Sequence, residues 1–371
     1  MQLPGSRSNS LLAVLFTLAF TPSLPGQTTA TAAAPITQEY APRFPAGIWE
    51  LTHENDWFIF SDRDYTGGLR LAYTTPNYRD WADVPSWFHI QAVGNFVNRI
   101  SFIDEDWATN SSAEYAQINI YTPDDQSINP PNPNDHPYAG WVGFGKDFIR
   151  QTMDRRAIVE FNIGWVGPQS GAQQLQDGFH SVIGDTNPAG WGHQIKNEPV
   201  LQATYRQDWR IPALTNLNPS MRQTLGYDVI AHGLATAGNG WDYAAVGAMT
   251  RFGYQLPFDF GPARPRLGEV ASVPFQPGGS SATDSMSGLS AYFCMGAEAR
   301  AVARDITLDG NTFANSASVV HKPLVGEVYG GYVMTWGHFR GDFLVLYESD
   351  TFKSQAQVGQ WRGILTVGCQ F

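Results

Sequence analysis

Leu69, Leu71 and Tyr73 alternate with Gly68, Arg70 and Ala72, and the same two-residue period returns in 115–121, 157–166 and 199–209. Within 157–166 it sets Val159, Phe161, Ile163 and Trp165 against Glu160 and Asn162. Successive side chains of a strand point to opposite faces, so this pattern builds a wall with one apolar and one polar side. Runs of about ten such residues are the repeat of a membrane barrel, apolar face outward and polar face inward. Further strands are predicted at 49–60, 66–75, 139–149, 224–236, 241–254, 291–304, 323–336, 342–348 and 360–371, about twelve in all. The last of them ends on Phe371, an aromatic at the terminus as in many outer-membrane barrels. A soluble β-sandwich is the competing all-β architecture, but its strands are usually shorter than these, about 5–6 residues.

With both termini on the periplasmic side, connections alternate between the two mouths. The outer ones fall at 61–65, 123–138, 167–198, 237–240, 305–322 and 349–359. Two inner ones, 76–114 and 255–289, are far longer than periplasmic turns usually are. The first contains Pro85–Ile100, whose apolar spacing is helical and predicts a segment packed on the barrel floor. The outer connection 167–198 also predicts a helix, begun by Ser170 as N-cap and stopped by Pro188. Leu175, Phe179, Val182 and Ile183 form its apolar stripe, with Gln176 and His180 on an adjacent face.

Composition fits a lipid-facing wall: aromatics are 13 %, charged residues only 15 %, and glycines number 37. No run of 18 apolar residues offers a membrane helix. Residues 1–34 have the order of a secretory signal, Arg7, then the apolar run Leu11–Phe20, then small residues, with cleavage expected between 26 and 34. The barrel domain is then 35–371. Loss of Arg7, the only charged side chain of that segment, takes the formal charge from −11 to −12, which speaks against nucleic acid as a partner. Cys294 and Cys369 are the only cysteines, open to one disulfide in an oxidising compartment.

Candidate chemistry gathers on the outer mouth. Glu54-Asn55-Asp56 lies on the first predicted strand and Tyr65-Thr66-Gly67-Gly68 opens the second. Asp56 is a hard oxygen ligand of the kind calcium takes, with Asn55 and backbone carbonyls able to complete a shell. Adjacent strand residues face opposite ways, so Asn55 and Asp56 share one side only if a bulge intervenes. Gln176, four residues before His180, can bond one ring nitrogen and fix the tautomer, leaving the other as a base toward water. Each feature has a plainer reading: a solvated loop histidine, a polar lumen, a tight strand entry. Their shared mouth is what favours chemistry. Serine catalysis lacks a Gly-x-Ser-x-Gly elbow; the nearest stretch, Gly278-Gly-Ser-Ser-Ala, sits on the inner side.

These motifs resemble one family. Glu54-Asn55-Asp56 with Asp64-Tyr65-Thr66-x-Gly68, the stretch Asp135-His136-Pro-Tyr-Ala-Gly140-Trp141, and Gly167-Pro-x-x-Gly171-x-Gln173…Gln176-x-x-x-His180-x-x-Ile183-Gly184…Ala189-x-Trp191…Gln194-Ile195 are similar to the outer-membrane lipid A 3′-O-deacylase (LpxR) family. The resemblance implies a transmembrane antiparallel barrel of twelve strands with a helical extracellular loop. It implies a calcium-dependent esterase in the outer membrane, acting on lipid A of lipopolysaccharide and removing the 3′-linked acyloxyacyl chain. His180 would be the base, Gln176 its neighbour, and Asn55, Asp56 and Thr66 the polar and calcium-side residues. A monomer among membrane lipids is expected. Two positions depart: Thr186 stands where members can carry an acidic residue, and 123–135 lacks a basic pair for lipid A phosphates, leaving Arg63 or Lys196 as candidates. An outer-membrane phospholipase, and a non-enzymatic channel or adhesin barrel, are the alternatives.

Overall fold

Lipid offers no hydrogen-bond partner, so strands that cross it must satisfy each other around a closed circle. The computed structural model closes that circle with twelve antiparallel strands in chain order, the last pairing with the first. They are β1 (Ile48–Asn55), β2 (Asp64–Thr74), β3 (Thr109–Thr122), β4 (Ala139–Gln151), β5 (Arg155–Val166), β6 (Glu198–Arg210), β7 (Leu225–Gly238), β8 (Trp241–Tyr254), β9 (Leu289–Asp305), β10 (Leu324–Trp336), β11 (Phe339–Glu348) and β12 (Gln360–Gln370). The structure describes residues 47–56, 58, 63–85, 91–217, 225–269 and 289–370. The expected signal segment 1–34, with its cleavage point between 26 and 34, and the Gly/Ser stretch at 278–282 lie outside the described residues.

Alternation is obeyed as predicted. Phe161, Ile163 and Trp165 of β5 are exposed on the outside, while Glu160 and Asn162 are buried in the lumen. Strand ends sit within a few residues of their expected places, apart from β1, which stops at Asn55 rather than 60, and β3, which begins at Thr109, six residues before the expected 115. The connections after odd-numbered strands share one rim, here the outer rim, and both strand termini lie on the inner rim.

The two long inner connections have different solutions, and the helix of the first does not pack on a floor. Helix α1 (Gln91–Ile100) lies against the outside of the wall. Its Val97 packs with Trp81, with Phe148 of β4 and with Val159 of β5, and the Tyr205 hydroxyl of β6 donates to the Ile100 carbonyl at 2.8 Å. Gly94 is required there, since a Cβ would lie 2.3 Å from the Trp81 ring.

Residues 255–269 instead run into the lumen. Phe258, Asp259, Phe260, Arg264 and Glu269 are all buried there. Arg264 meets Glu269, Glu298 of β9 at 3.0 Å and Glu327 of β10. Glu269 also takes Arg206 of β6 at 3.1 Å, and its carbonyl takes Arg70 of β2 at 2.6 Å. The Gly268 amide donates to Glu160 of β5 at 2.9 Å, and Gln117 of β3 to the Pro265 carbonyl at 2.8 Å. One segment therefore ties strands on opposite sides of the barrel. Charges scarce in the sequence are concentrated inside, where carboxylates and guanidinium groups pair.

Cys294 is buried on the lumenal side of β9, and Cys369 is half-buried on β12, with β10 and β11 between them. Both are free thiols, so the disulfide that the sequence left open is not formed.

Arg264→Ala would leave Glu269, Glu298 and Glu327 buried without their shared cation. Breaking a buried ion network from one side costs about 3–5 kcal/mol. Urea titration of the barrel's heat-modifiable gel mobility should show its midpoint shifted down by a corresponding amount, and an unchanged midpoint would count against the network.

Candidate active site on the outer face of the wall

Alternation along β1 decides which side each residue takes. Glu50, Thr52 and Glu54 enter the lumen, where Glu54 meets Arg362 at 3.1 Å. Trp49, Leu51, His53 and hence Asn55 face outward, and Asp56 follows just beyond the strand, fully buried. Asn55 and Glu54 are neighbours in sequence on opposite sides of the wall. The lumen's outer cavity, about 140 Å³ among Glu54, Tyr65, Arg300 and Arg362, is thus separate from Asn55.

On β2 the required irregularity is present, one strand over from where Asn55-Asp56 would have needed it. The register shifts between Tyr65 and Gly67, a bulge that frees Thr66 from the alternation. Tyr65 turns inward beneath the Arg362 guanidinium, 4.7 Å from its ring centroid. Thr66 Oγ1 meets Thr122 Oγ1 at 2.5 Å, and Thr122 shares the outward side of β3 with Ile118 and Ile120. The paired glycines serve one face each. A Cβ on Gly67 would come within 3.0 Å of the Asn55 amide, and a Cβ on Gly68 within 2.3 Å of the Tyr65 hydroxyl. The Asp56 amide donates to the Thr66 carbonyl at 3.4 Å, and Asp56 Oδ2 accepts from the Arg63 amide at 2.7 Å. Asn55, Asp56 and Thr66 therefore meet at one spot, as expected.

Helix α2 (Ala172–Ile183) crosses the outside of the wall above them. Ala172 packs with Ile120, Tyr138 and Trp191. Gly140 of β4 admits the helix start, since a Cβ there would lie 2.2 Å from Ser170 Oγ and 2.3 Å from the Ala172 Cβ. Farther along, the Phe179 ring reaches that of His53 on β1, centroids 6.1 Å apart. About 10 Å of helical rise, plus the reach of a phenylalanine, spans the roughly 14 Å from β4 to β1. Ala172, Gln176 and His180 are its buried residues, spaced four apart and facing the wall. Apart from Phe179, the apolar stripe faces the other way: Leu175 and Ile183 are exposed, and Val182 is 85 % exposed. In water this orientation would be inverted; beside hydrocarbon it is the favourable one.

His180 Nδ1 lies 2.7 Å from the Thr186 carbonyl oxygen. A carbonyl only accepts, so Nδ1 carries the proton and Nε2 is left as the basic nitrogen. Gly184 makes that bond possible. It caps the helix in the left-handed region at φ 79°, its amide and that of Asp185 both donating to the His180 carbonyl at 2.9 Å. The chain thereby doubles back and brings Thr186 to the ring.

Three local expectations are corrected. Gln176 does not hold the imidazole: its Oε1 accepts from Trp191 Nε1 at 2.9 Å and its Nε2 donates to Gln126 at 3.2 Å. Gln176 thus pins the helix to two loops, and a backbone carbonyl, invisible to residue type, does the work assigned to it. The N-cap is Gly171 rather than Ser170, and Gly184 rather than Pro188 ends the helix. The Asp135–Trp141 stretch is a buttress, with Tyr138 against Trp191 (5.0 Å) and its carbonyl accepting from the Ile195 amide at 3.0 Å. Arg63 is held by Asp64 at 3.1 Å and by the Gly359 carbonyl at 2.8 Å, whereas Lys196 is exposed. Ser181 is exposed, its hydroxyl donating back to the Asp177 carbonyl at 2.7 Å.

The donors around Asp56 are a carboxylate, an amide, a hydroxyl and main-chain carbonyls, all hard oxygens. Among the described residues no three His, Cys, Asp or Glu side chains gather as a metal cluster. A cation here would rest on Asp56 and neutral oxygens, a set that suits calcium and not zinc.

The family described as outer membrane protein LpxR matches residues 12–371. Among solved structures, LpxR from Salmonella typhimurium aligns with a TM-score of 0.67 at 17 % identity, covering 87 % of this chain and 100 % of that one. The β domain of the Bordetella autotransporter BrkA (TM-score 0.41, 7 % identity, 88 % and 99 % covered) is less similar. So is the translocator domain of NalP from Neisseria meningitidis (0.36, 10 %, 88 % and 89 %). No curated protein matches the sequence.

Gly184→Val places a β-branched residue at positive φ, a strain of about 1–2 kcal/mol, and should loosen the return to Thr186. In protein labelled with ¹⁵N-histidine, the His180 resonances, identified by their loss in His180→Ala, should report the Nδ1–H form in the parent and a tautomer mixture in Gly184→Val. A parent His180 already in the Nε2–H form would refute the orientation described.

Proposed function

Because this chain belongs to the LpxR family of outer-membrane proteins, we propose that it is a lipid A deacylase, hydrolysing the ester of the 3′-linked acyloxyacyl chain with His180 as base. The observation that carries the reading is a buried imidazole with Nδ1 spent on Thr186, on a helix laid over the outward face that holds Asn55, Asp56 and Thr66. A substrate that never leaves the membrane must be met on the lipid side of the wall. The lumen, crossed by 255–269, suits neither access nor conduction.

In this mechanism His180 Nε2 takes a proton from water as its oxygen attacks the ester carbonyl carbon. The same proton passes to the departing sugar oxygen as the acyl C–O bond breaks, releasing a free fatty acid. The Thr186 carbonyl steadies the imidazolium through Nδ1–H and holds the ring plane. Gln176, Trp191 and Gln126 keep the helix at its height above the wall. Asn55, Asp56 and Thr66 would hold a calcium ion, which when bound supplies positive charge for the oxyanion. The acidic residue that family members can carry at position 186 is dispensable on this account, since the main chain supplies the acceptor.

Purified protein in detergent with lipid A, read by mass spectrometry, tests the proposal. Loss of the 3′ acyloxyacyl chain is expected, and no loss of any acyl chain defeats the esterase reading. Phosphatidylethanolamine assayed in parallel separates the phospholipase alternative, to which the missing basic pair in 123–135 gives some weight. His180→Ala should slow release about a hundred- to ten-thousand-fold, the usual contribution of a positioned base. A chelator should abolish turnover and added calcium restore it; full activity in chelator would sink the calcium assignment and leave the esterase standing.

A further inference from the structure

The cover over the outer wall does not stop where helix α2 ends. Beyond Phe179, a row of rings continues across the barrel seam. Phe179 touches His53 of β1, His53 touches Phe58 at 5.5 Å, and Phe58 touches Phe343 of β11 at 6.2 Å, edge to face. Phe58 belongs to the β1–β2 connection, yet it folds down over the outside of β12. It rests on Gly363, where a Cβ would lie 2.6 Å from the Phe58 Cβ and 3.0 Å from its ring. Gly363 is the register partner of Asn55 across the seam. The row therefore begins at the candidate site, with Asn55 two residues from His53 and His180 next to Phe179. It ends among exposed apolar side chains: Phe343 and Leu365 are each 41 % exposed.

Resting on the function proposed above, we infer that this row is the platform for the acyl chain of the bound lipid, with Phe58 and Phe179 as positioning residues that read chain length. Three features separate it from an ordinary interfacial girdle. Girdle rings are amphipathic Trp and Tyr held on strands, whereas Phe58 and Phe179 have no polar tip and come from loops. A glycine in the wall is given over to seating one of them. The row is also continuous with the polar site at one end and with the lipid-facing wall at the other. A hydrocarbon chain attached to an ester at Asn55 and His180 leaves the site over these rings. His53 is the one polar side chain on the row and lies between the Phe58 and Phe179 rings, so the row offers a chain an apolar surface and a headgroup no cluster of polar groups.

The test uses the full-length protein in detergent and two substrates that differ only in acyl length, a four-carbon and a fourteen-carbon ester of the same alcohol. Phe58→Ala removes the ring, and Gly363→Ala pushes it off the wall, so a folding defect in one leaves the other. In both, the ratio of kcat/KM for the long ester to that for the short one should fall about tenfold, mainly through KM. Equal losses on both esters, or no change in the ratio, would overturn the platform and leave a structural role. Native mass spectrometry of the His180→Ala protein with intact lipid A gives a readout free of turnover. Retention of one lipid, weakened about tenfold by adding Phe58→Ala, is expected; retention indifferent to Phe58 counts against the platform. If no ester is hydrolysed while retention still depends on Phe58, the esterase proposal fails and the chain platform stands.

Discussion

Everything in this molecule hangs on the seam between β1 and β12. A strand edge left open in hydrocarbon would expose a row of unpaired amides and carbonyls, each costing several kcal/mol, so the first and last strands must find each other. They do so over Ile48↔Gln370 to Asn55↔Gly363. That pairing fixes which connections share a rim and brings the β1–β2 turn beside the start of β12. Asn55 stands at the outer end of the seam. The candidate site, the bulge on β2 and the seat of Phe58 all lie within one or two strands of it.

The wall then separates two kinds of chemistry by single-residue steps. Glu54 faces inward and joins Arg362; Asn55 faces outward and lies under α2. Inside, carboxylates and guanidinium groups neutralise one another around residues 255–269, an arrangement that stiffens the cylinder and blocks it. Outside, ions are fewer, among them the Glu114–Lys146 pair at 2.6 Å, and a separate polar group surrounds His180, Asp56 and Thr66. A catalytic group in the lumen would be sealed from lipid by the wall itself, whereas one under α2 opens sideways onto the membrane.

Helix α2 shows how the solvent decides a helix's orientation. With water outside, Leu175, Val182 and Ile183 would turn to the wall and Gln176 and His180 would face out. With hydrocarbon outside, the apolar stripe is at home there and the polar stripe is buried against the wall, where Trp191, Gln126 and Thr186 satisfy it. Buried polar groups need such partners, and satisfying them is what holds the imidazole in one tautomer. Helix α1 keeps the ordinary orientation on the same kind of wall, its Val97 packed on β4 and β5, although Phe96 also stays exposed.

Much of this was legible in the chain. The two-residue period dictated twelve strands and their faces, because a strand in lipid has no other way to sort its side chains. Counting connections dictated that His180 and Asn55 share a rim, because each hairpin reverses direction. The Tyr65-Thr66-Gly67-Gly68 stretch announced a tight approach, because glycine leaves room where other residues cannot. What the chain could not reveal was anything carried by main-chain atoms or by the far side of the circle. The partner of His180 is a carbonyl, the same on every residue type, and Gln176 was drawn away by a tryptophan fifteen positions on. The lumenal course of 255–269 depends on polar side chains of β2, β3, β5, β6, β9 and β10, none of them near it in sequence. Periodicity is a local property and survives reading in one dimension; partnership across a closed cylinder exists only once the ends have met.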